Sequence, residues 1–338
     1  MANDSNQPTF DTWDNRTGSP IPKSVADTHL TVWFAVNFIL MLVSVTFLIL
    51  AIYAVVKAGQ NRISASQILI LHFLSAELAI CSGLYPAIQF TYYLPKFRFG
   101  TYSCDIFQFF YMWIAGAEQW TMLNLSINRL MAVHFPHSYS RYVNTKSVLV
   151  TLAFAWIVPL IVMIMLAAKF GGQSMPVYIP WGTCVVRPSP SGQSWVLQAV
   201  NFLCMVIPLS GTLLCYAIIL LGSWKKYGIR RTVPDDSVLT PAQQSDLQRQ
   251  RKKLSMARML FVSAFWYLLC YLPHTMIVSL APFLYAVYPH LGLWTRTVYF
   301  MGFAGNPVIF FIMSAEYRTK LVSLIHARRA VLSRPTSQ

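Results

Sequence analysis

Seven separate runs of largely apolar residues dominate this chain, each about as long as an α-helix must be to cross the hydrocarbon layer of a membrane. They extend roughly from Thr31 to Val56, Ser66 to Tyr93, Ser103 to Val133, Val148 to Ala168, Ser194 to Ser223, Leu254 to Leu284 and Trp294 to Ala315. The chemistry of the whole chain agrees. Of its 338 residues 56% are hydrophobic and only 11% charged, against about 25% charged in a soluble domain. So little polar surface cannot clothe a water-soluble protein of this size. The expected fold class is an all-α membrane protein, a seven-transmembrane helix bundle with a short amphipathic C-terminal surface helix. Residues 1–30 form an outer tail, 31–315 the bundle, about 224–253 its third inner loop, and 316–338 the surface helix and tail. The stretch from Glu316 to Ala327 is too short and too charged to cross. It gathers Tyr317, Leu321, Leu324 and Ile325 on one face, as a helix lying on the membrane does.

Orientation follows from the basic residues. A net charge of +15 on a soluble protein would point to nucleic acid. Here Lys and Arg sit in short loops between the apolar runs, so no nucleic-acid partner is expected and the charge reports topology instead. With the N-terminus outside, 19 of the 26 basic residues fall inside and 7 fall outside or in the outer half. Asn3 and Asn15 then lie in glycosylation triplets on the outer side. Such triplets often arise by chance, and the one at Asn124 lies within a span. The first 30 residues are polar and carry no signal peptide, so the first span is expected to serve as its own anchor in the plasma membrane. In the third inner loop Val233-Pro234-Asp235-Asp236 and Thr240-Pro241 are expected to break any helix.

Landmarks inside the spans occur in a fixed order. The third span opens at Cys104 and closes on Asn128-Arg129-Leu130, a separation of 25 residues or about 37 Å of helix. Pro136 follows Arg129, Trp156 lies in the fourth span and Cys184 in the second outer loop. Pro208 and Tyr216 mark the fifth span, Cys270-Tyr271-Leu272-Pro273 the sixth, and Asn306-Pro307-Val308-Ile309-Phe310 the seventh, followed by Tyr317-Arg318. Over nearly its whole length the chain resembles the rhodopsin-like class of G-protein-coupled receptors. The resemblance implies a receptor, not an enzyme, with a heterotrimeric G protein inside, an extracellular ligand outside and membrane lipid around it.

The resemblance also implies roles for particular residues. Cys104 and Cys184 both fall on the oxidising side, where disulfides persist, and correspond to the family's outer disulfide. Arg129 corresponds to the arginine that meets the G protein, with Asn128, Tyr216, Tyr271, Pro273, Asn306, Pro307 and Phe310 among the residues of coupling and activation. Several depart from the family pattern. Asn128 stands where relatives carry the acid that restrains the arginine, and Lys253 stands where some have a Glu. The resting restraint is therefore weakened, which predicts raised basal signalling or another restraint that the sequence does not reveal. Tyr271 replaces a Trp, Tyr267 a Phe, and Phe310 a Tyr.

Two of the three Glu residues lie inside apolar spans. An ionisable group in a membrane is costly and is a functional hypothesis by default. Glu77 and Glu118, with Asn306, correspond to the family's allosteric sodium site. Two carboxylates in one dry pocket either share a proton or hold a cation between them. The alternative is a protonated structural pair, and Gly302 and Phe303 in place of polar residues favour it. No other cofactor is implied.

For the ligand, exclusions are firmer than assignments. Tyr111 stands where amine receptors carry an Asp, and Phe300 where opsins carry their retinal-binding Lys. The remaining pocket positions are Tyr111, Ala115, Tyr271, Arg296, Phe300 and Gln89. Arg296 could pair with a carboxylate or phosphate, or simply sit in water at the rim. The runs Val177-Tyr178-Ile179 and Thr183-Cys184-Val185-Val186 around Pro180-Trp181-Gly182 suggest a β-hairpin, which favours a peptide over a lipid or small organic acid. The competing functions are a cation or proton transporter using Glu77 and Glu118, and a receptor-like protein that has lost signalling. Internal repeats that would mark a transporter are absent from the sequence, as are zinc-protease and nucleophile-elbow motifs.

Overall fold

In the computed structural model the described residues are 23–58, 64–94, 101–136, 138–139, 143–174, 177–178, 183–184, 187–188, 194–230, 241–280, 284 and 288–313. They contain seven long helices in chain order. These are α1 (Lys23–Ala58), α2 (Ala65–Tyr93), α3 (Thr101–His134) and α4 (Thr145–Ala167). Then come α5 (Ser194–Asn201, Phe202–Val206 and Ile207–Arg230), α6 (Pro241–Leu280) and α7 (Pro289–Met313). Lipid offers no hydrogen-bond partner to a backbone amide, and a helix satisfies its amides internally. Asn3, Asn15 and the surface-helix segment 316–338 lie outside the described residues, as do the side chains of Cys184, Lys253 and Phe310.

On length and composition alone, four helices could cross a membrane: Thr28–Lys57, Ala65–Tyr93, Thr145–Ala167 and Gln198–Gly222. That count is of the described residues only, among which α6 contributes the shorter apolar stretch Phe261–Ile277, and buried polar groups recur on α3, α6 and α7 as well as on α1, α2 and α5. On α3 these include Gln108, Glu118, Gln119, Asn128 and Arg129, on α6 Ser263, and on α7 Thr295, Thr297 and Asn306. The peripheral helices show the reverse. Large apolar side chains such as Ile39, Leu42 and Ile49 of α1, and Val150, Ile157 and Ile164 of α4, are exposed, as expected of side chains that lipid covers.

The helices close into a ring. α1 packs on α2 and α7, α7 on α6, α6 on α5, and α3 runs through the middle against α2, α4, α5 and α6. The α6–α7 seam is the tightest. A Cβ added to Gly305 would lie 2.2 Å from Nε1 of Trp266, and one at Gly302 3.1 Å from the Tyr267 ring. With only a hydrogen at Gly305, Trp266 seats against the α7 backbone and its Nε1 donates to the Met301 carbonyl at 2.8 Å, and a Cβ there would have to displace the indole.

Prolines shape α2 and α5. Each has a π-turn, Ile80–Leu84 and Phe202–Val206, just ahead of Pro86 and Pro208. A proline ring clashes with the carbonyl four residues earlier and offers no N–H to it, and a wider turn relieves both problems. Pro241 opens α6, so helical structure resumes within the segment read as loop, while residues 231–240, with Pro234 and Thr240, lie outside the described residues. The first turn tolerates a proline because its N–H would have no partner there. α5 likewise continues to Arg230, so both helices run past the apolar segments into residues read as loop.

The expected hairpin over the outer face forms. β1 (Gln173–Ser174) pairs antiparallel with β4 (Arg187–Pro188), and β2 (Val177–Tyr178) with β3 (Thr183–Cys184). β3 lies against α3 and the outer end of α2. Cys104, buried near the start of α3, is disulfide-bonded, whereas Cys81, Cys204, Cys215 and Cys270 are free. The backbone of the sixth cysteine, Cys184, is in β3.

Candidate functional site

The inner half of the bundle buries a carboxylate chamber. Glu77 of α2 and Glu118 of α3 are both fully buried and within electrostatic reach of each other. Asn306 of α7 donates its Nδ2 to Glu77 Oε1, and its Oδ1 accepts from Ser263 Oγ of α6 at 2.5 Å. Gln119 donates Nε2 to Glu118 Oε2 at 2.6 Å. Glu77 Oε2, Glu118 Oε1 and Gln119 Oε1 are buried with no hydrogen-bond partner. The three residues expected at a sodium site thus share one chamber with three unpaired carboxyl and amide oxygens, while the Tyr267 hydroxyl, also buried without a hydrogen-bond partner, and the Cys81 thiol lie within electrostatic reach of Glu118. Ser263 and Gln119 were not foreseen. A polar residue in the apolar stretch of α6, and an amide next to Glu118, were the available signals.

Arg129 lies deeper inside, 9% exposed at the inner end of α3. Its charge reaches Tyr216 of α5, whose hydroxyl is buried without a hydrogen-bond partner. Asn128 accepts a hydrogen bond from the Tyr139 hydroxyl at 3.2 Å, so an uncharged contact occupies the place of an acid. Pro273 faces outward on α6 and Pro307 is buried in α7.

The outer half is aromatic. Tyr85 stacks on Phe300 with ring centroids 3.5 Å apart. Arg296, half-buried, lies over the Tyr92 ring at 5.4 Å, and its charge reaches Tyr85, Tyr111 and His274. Tyr271 stacks beside Tyr267 and donates to Asn201 of α5 at 2.6 Å, which supplies the partner its added hydroxyl needs. Ala115 is buried on α3. Tyr111, Arg296 and Phe300 are therefore brought together through Tyr85 and Tyr92 in the outer half, Gln89 is buried one turn along α2 from each of those two tyrosines, and Tyr271 lies on the α5–α6 side.

A further group there was not foreseen. Asn37 of α1 donates Nδ2 to the Trp33 carbonyl at 2.7 Å and to Thr297 Oγ1 at 3.0 Å, and accepts from the Tyr85 hydroxyl at 2.7 Å. Trp33 Nε1 donates to the Leu293 carbonyl at 3.0 Å. A lone amide in the apolar first span was the available signal. His72 is another such case. Trp156 Nε1 donates to its Nε2 at 2.7 Å, and its Nδ1 lies 3.2 Å from Thr121 Oγ1, joining α2, α3 and α4.

Comparison with known proteins gives this architecture a context. The family model described as "7 transmembrane receptor (rhodopsin family)" matches residues 47–310, well over half of the chain. The Allatostatin-A receptor of Bombyx mori is 25% identical over 273 residues, covering 78% of this chain and 71% of that protein. Rhodopsin of Lethenteron camtschaticum is 24% identical over 309 residues, covering 86% and 79%. Among solved structures, squid rhodopsin superposes with a TM-score of 0.73 at 15% identity, covering 93% of this chain and 88% of that one, a likeness of fold.

Proposed function

Because the chain belongs to the rhodopsin family of seven-transmembrane receptors, and so is a multi-pass membrane receptor and not an enzyme, we propose that it carries an extracellular peptide signal across the plasma membrane to a heterotrimeric G protein. The observation that carries the G-protein half is Arg129. A guanidinium buried at the inner end of the central helix is costly to keep in a membrane, and an outward swing of α6 would uncover it to a cytoplasmic partner. Asn128, Tyr216, Tyr271, Pro273, Asn306, Pro307 and Phe310 serve that motion.

The ligand enters from the outside, under the β2–β3 hairpin, toward Tyr111, Ala115, Tyr271, Arg296, Phe300 and Gln89. A relative named as an Allatostatin-A receptor and the hairpin itself support a peptide. The rhodopsin relatives do not argue for retinal, because α7 contains no lysine to bind it. The Cys104–Cys184 bond holds the hairpin down, and Asn3 and Asn15 carry glycans. The N-terminus is extracellular.

Glu77, Glu118 and Asn306 fit a small hard cation or a shared proton. Three carboxyl and amide oxygens of the chamber are buried without a hydrogen-bond partner, and oxygen ligands suit such ions. Sodium there would favour one resting arrangement of α2, α3 and α7.

The test is guanine-nucleotide exchange on membranes carrying the receptor with purified G protein, against a library of peptides. The expected outcome is agonist-stimulated exchange that Arg129→Ala abolishes. Exchange unaffected by Arg129→Ala, or cation flux abolished by Glu77→Gln with no exchange at all, would refute this reading.

A further inference from the structure

Four side-chain carboxamides among the described residues are at most 1% exposed: Asn37, Gln89, Gln119 and Asn306. They form an internal control. Asn37 and Asn306 use both the oxygen and the nitrogen of their amides. Gln119 uses its nitrogen. Gln89 uses neither, and its Oε1 and Nε2 are both buried without a hydrogen-bond partner. Leaving such a group unsatisfied costs on the order of 1–3 kcal/mol, and an exception of this kind requires a reason.

We propose that Gln89 is the receptor's hook for an amide of its ligand, a terminal carboxamide or a peptide unit, bound in the seam between α2 and α7. The proposal rests on the peptide reading above. Gln89 lies one helical turn from both Tyr85 and Tyr92, so the three share a face of α2. Tyr85 stacks on Phe300 and Tyr92 lies beneath Arg296, two α7 residues that are also one turn apart. Gln89 therefore looks toward α7 between an aromatic pair and a cation–aromatic pair.

The chemical class follows from what each atom lacks. Gln89 Nε2 needs an acceptor and Oε1 needs a donor. A ligand carboxylate satisfies Nε2 and suits Arg296, but it sets a second acceptor against Oε1. An alcohol can meet both atoms only by turning one hydroxyl between them. A primary amide or a peptide unit offers C=O and N–H together, meeting both atoms of Gln89 while its carbonyl also receives Arg296. Tyr85, Tyr92 and Phe300 give the adjoining group an aromatic wall.

The experiment uses the full-length receptor in lipid nanodiscs and three probes at matched millimolar concentration, each with a single carbonyl function: 3-phenylpropanamide, its N,N-dimethylamide and 3-phenylpropanoic acid. Binding is read by saturation-transfer NMR. The primary amide is expected to bind at least about tenfold tighter than the other two, since each leaves a buried partner unpaired. In Gln89→Leu that preference disappears, and the thermal midpoint of the ligand-free receptor stays level or rises because an unsatisfied amide has been removed. A fall in the midpoint would show that the amide is structural and overturn the proposal. So would equal binding of the three probes, no binding of any, or a preference that survives in Gln89→Leu. An amide preference without any peptide agonist in the exchange assay would instead sink the peptide reading and leave the subsite standing.

Discussion

The corner where α1, α2 and α7 meet around Asn37 and the chamber around Glu77 and Glu118 are both buried and both polar, yet they balance differently. At Asn37 the amide's donors and its acceptor oxygen all have partners, and so do the indole of Trp33 and the hydroxyl of Tyr85. The carboxylate chamber has three acceptor oxygens left over. A closed set has one favoured arrangement and joins its helices permanently. A set with three oxygens unpaired has room for a proton or a cation, so its arrangement depends on conditions. The contrast assigns rigidity to the outer corner and responsiveness to the chamber, in one helix bundle and within the length of α2.

The sharpest way to break this contrast is Asn37→Leu. It removes three hydrogen bonds and leaves the Tyr85 hydroxyl without its acceptor. At about 0.6–1.5 kcal/mol for each bond, the loss should be about 2–4.5 kcal/mol, read by denaturant titration of the receptor in mixed micelles. Basal nucleotide exchange should change little. If stability holds and exchange rises instead, the corner is a switch and the contrast fails.

Next in size is Gly305→Ala. Its Cβ would push Trp266 off the α7 backbone and break the bond to Met301. Overpacking of this kind costs about 1–3 kcal/mol. If α6 swings away from α7 as proposed, basal exchange should rise several-fold. That would identify the Trp266 clasp as the resting restraint which Asn128 and Lys253 fail to provide. Unchanged exchange together with lowered stability would make the clasp a packing feature only.

The fold was legible because lipid imposes a length: seven runs near 20 residues have few alternative readings, and the landmark order from Cys104 to Asn306 fixed which helix was which. The polar wiring was less legible. Asn306 and Glu77 stood out as polar residues in apolar surroundings, but their bond depends on how α2 and α7 are rotated, which hydrophobic length does not specify. The bonds of Asn37 and His72 are hidden for the same reason, since their partners lie 260 and 84 residues away. Gly302 was read as the loss of a polar residue. Its physical meaning, room for Tyr267 against α7, appears only once the two helices are side by side.

A smaller effect separates the two occupants of the chamber. In sodium chloride against choline chloride at equal ionic strength, a receptor whose carboxylates hold sodium should gain about 1 kcal/mol at several times the dissociation constant. Glu118→Gln removes one charge and supplies an N–H for Glu77, so that gain should vanish. If the wild type is indifferent to sodium while Glu118→Gln alters its stability, the pair holds a proton. If neither salt nor substitution matters, the chamber is as inert as the Asn37 corner and the contrast is lost.

The smallest expected effect tests whether closed polar sets behave alike elsewhere. His72 accepts from Trp156 at Nε2, so the ring proton sits on Nδ1 and faces Thr121 Oγ1, whose own proton goes to the Ala117 carbonyl at 2.7 Å. This arrangement is complete only with a neutral imidazole. In a double-mutant cycle of His72→Leu and Trp156→Phe, the coupling should be about 0.6 kcal/mol, the usual scale for an interhelical hydrogen bond in a membrane. Strictly additive losses would mean that the bond contributes nothing between α2 and α4. Complete pairing would then be no guide to rigidity, at Asn37 or anywhere else in the bundle.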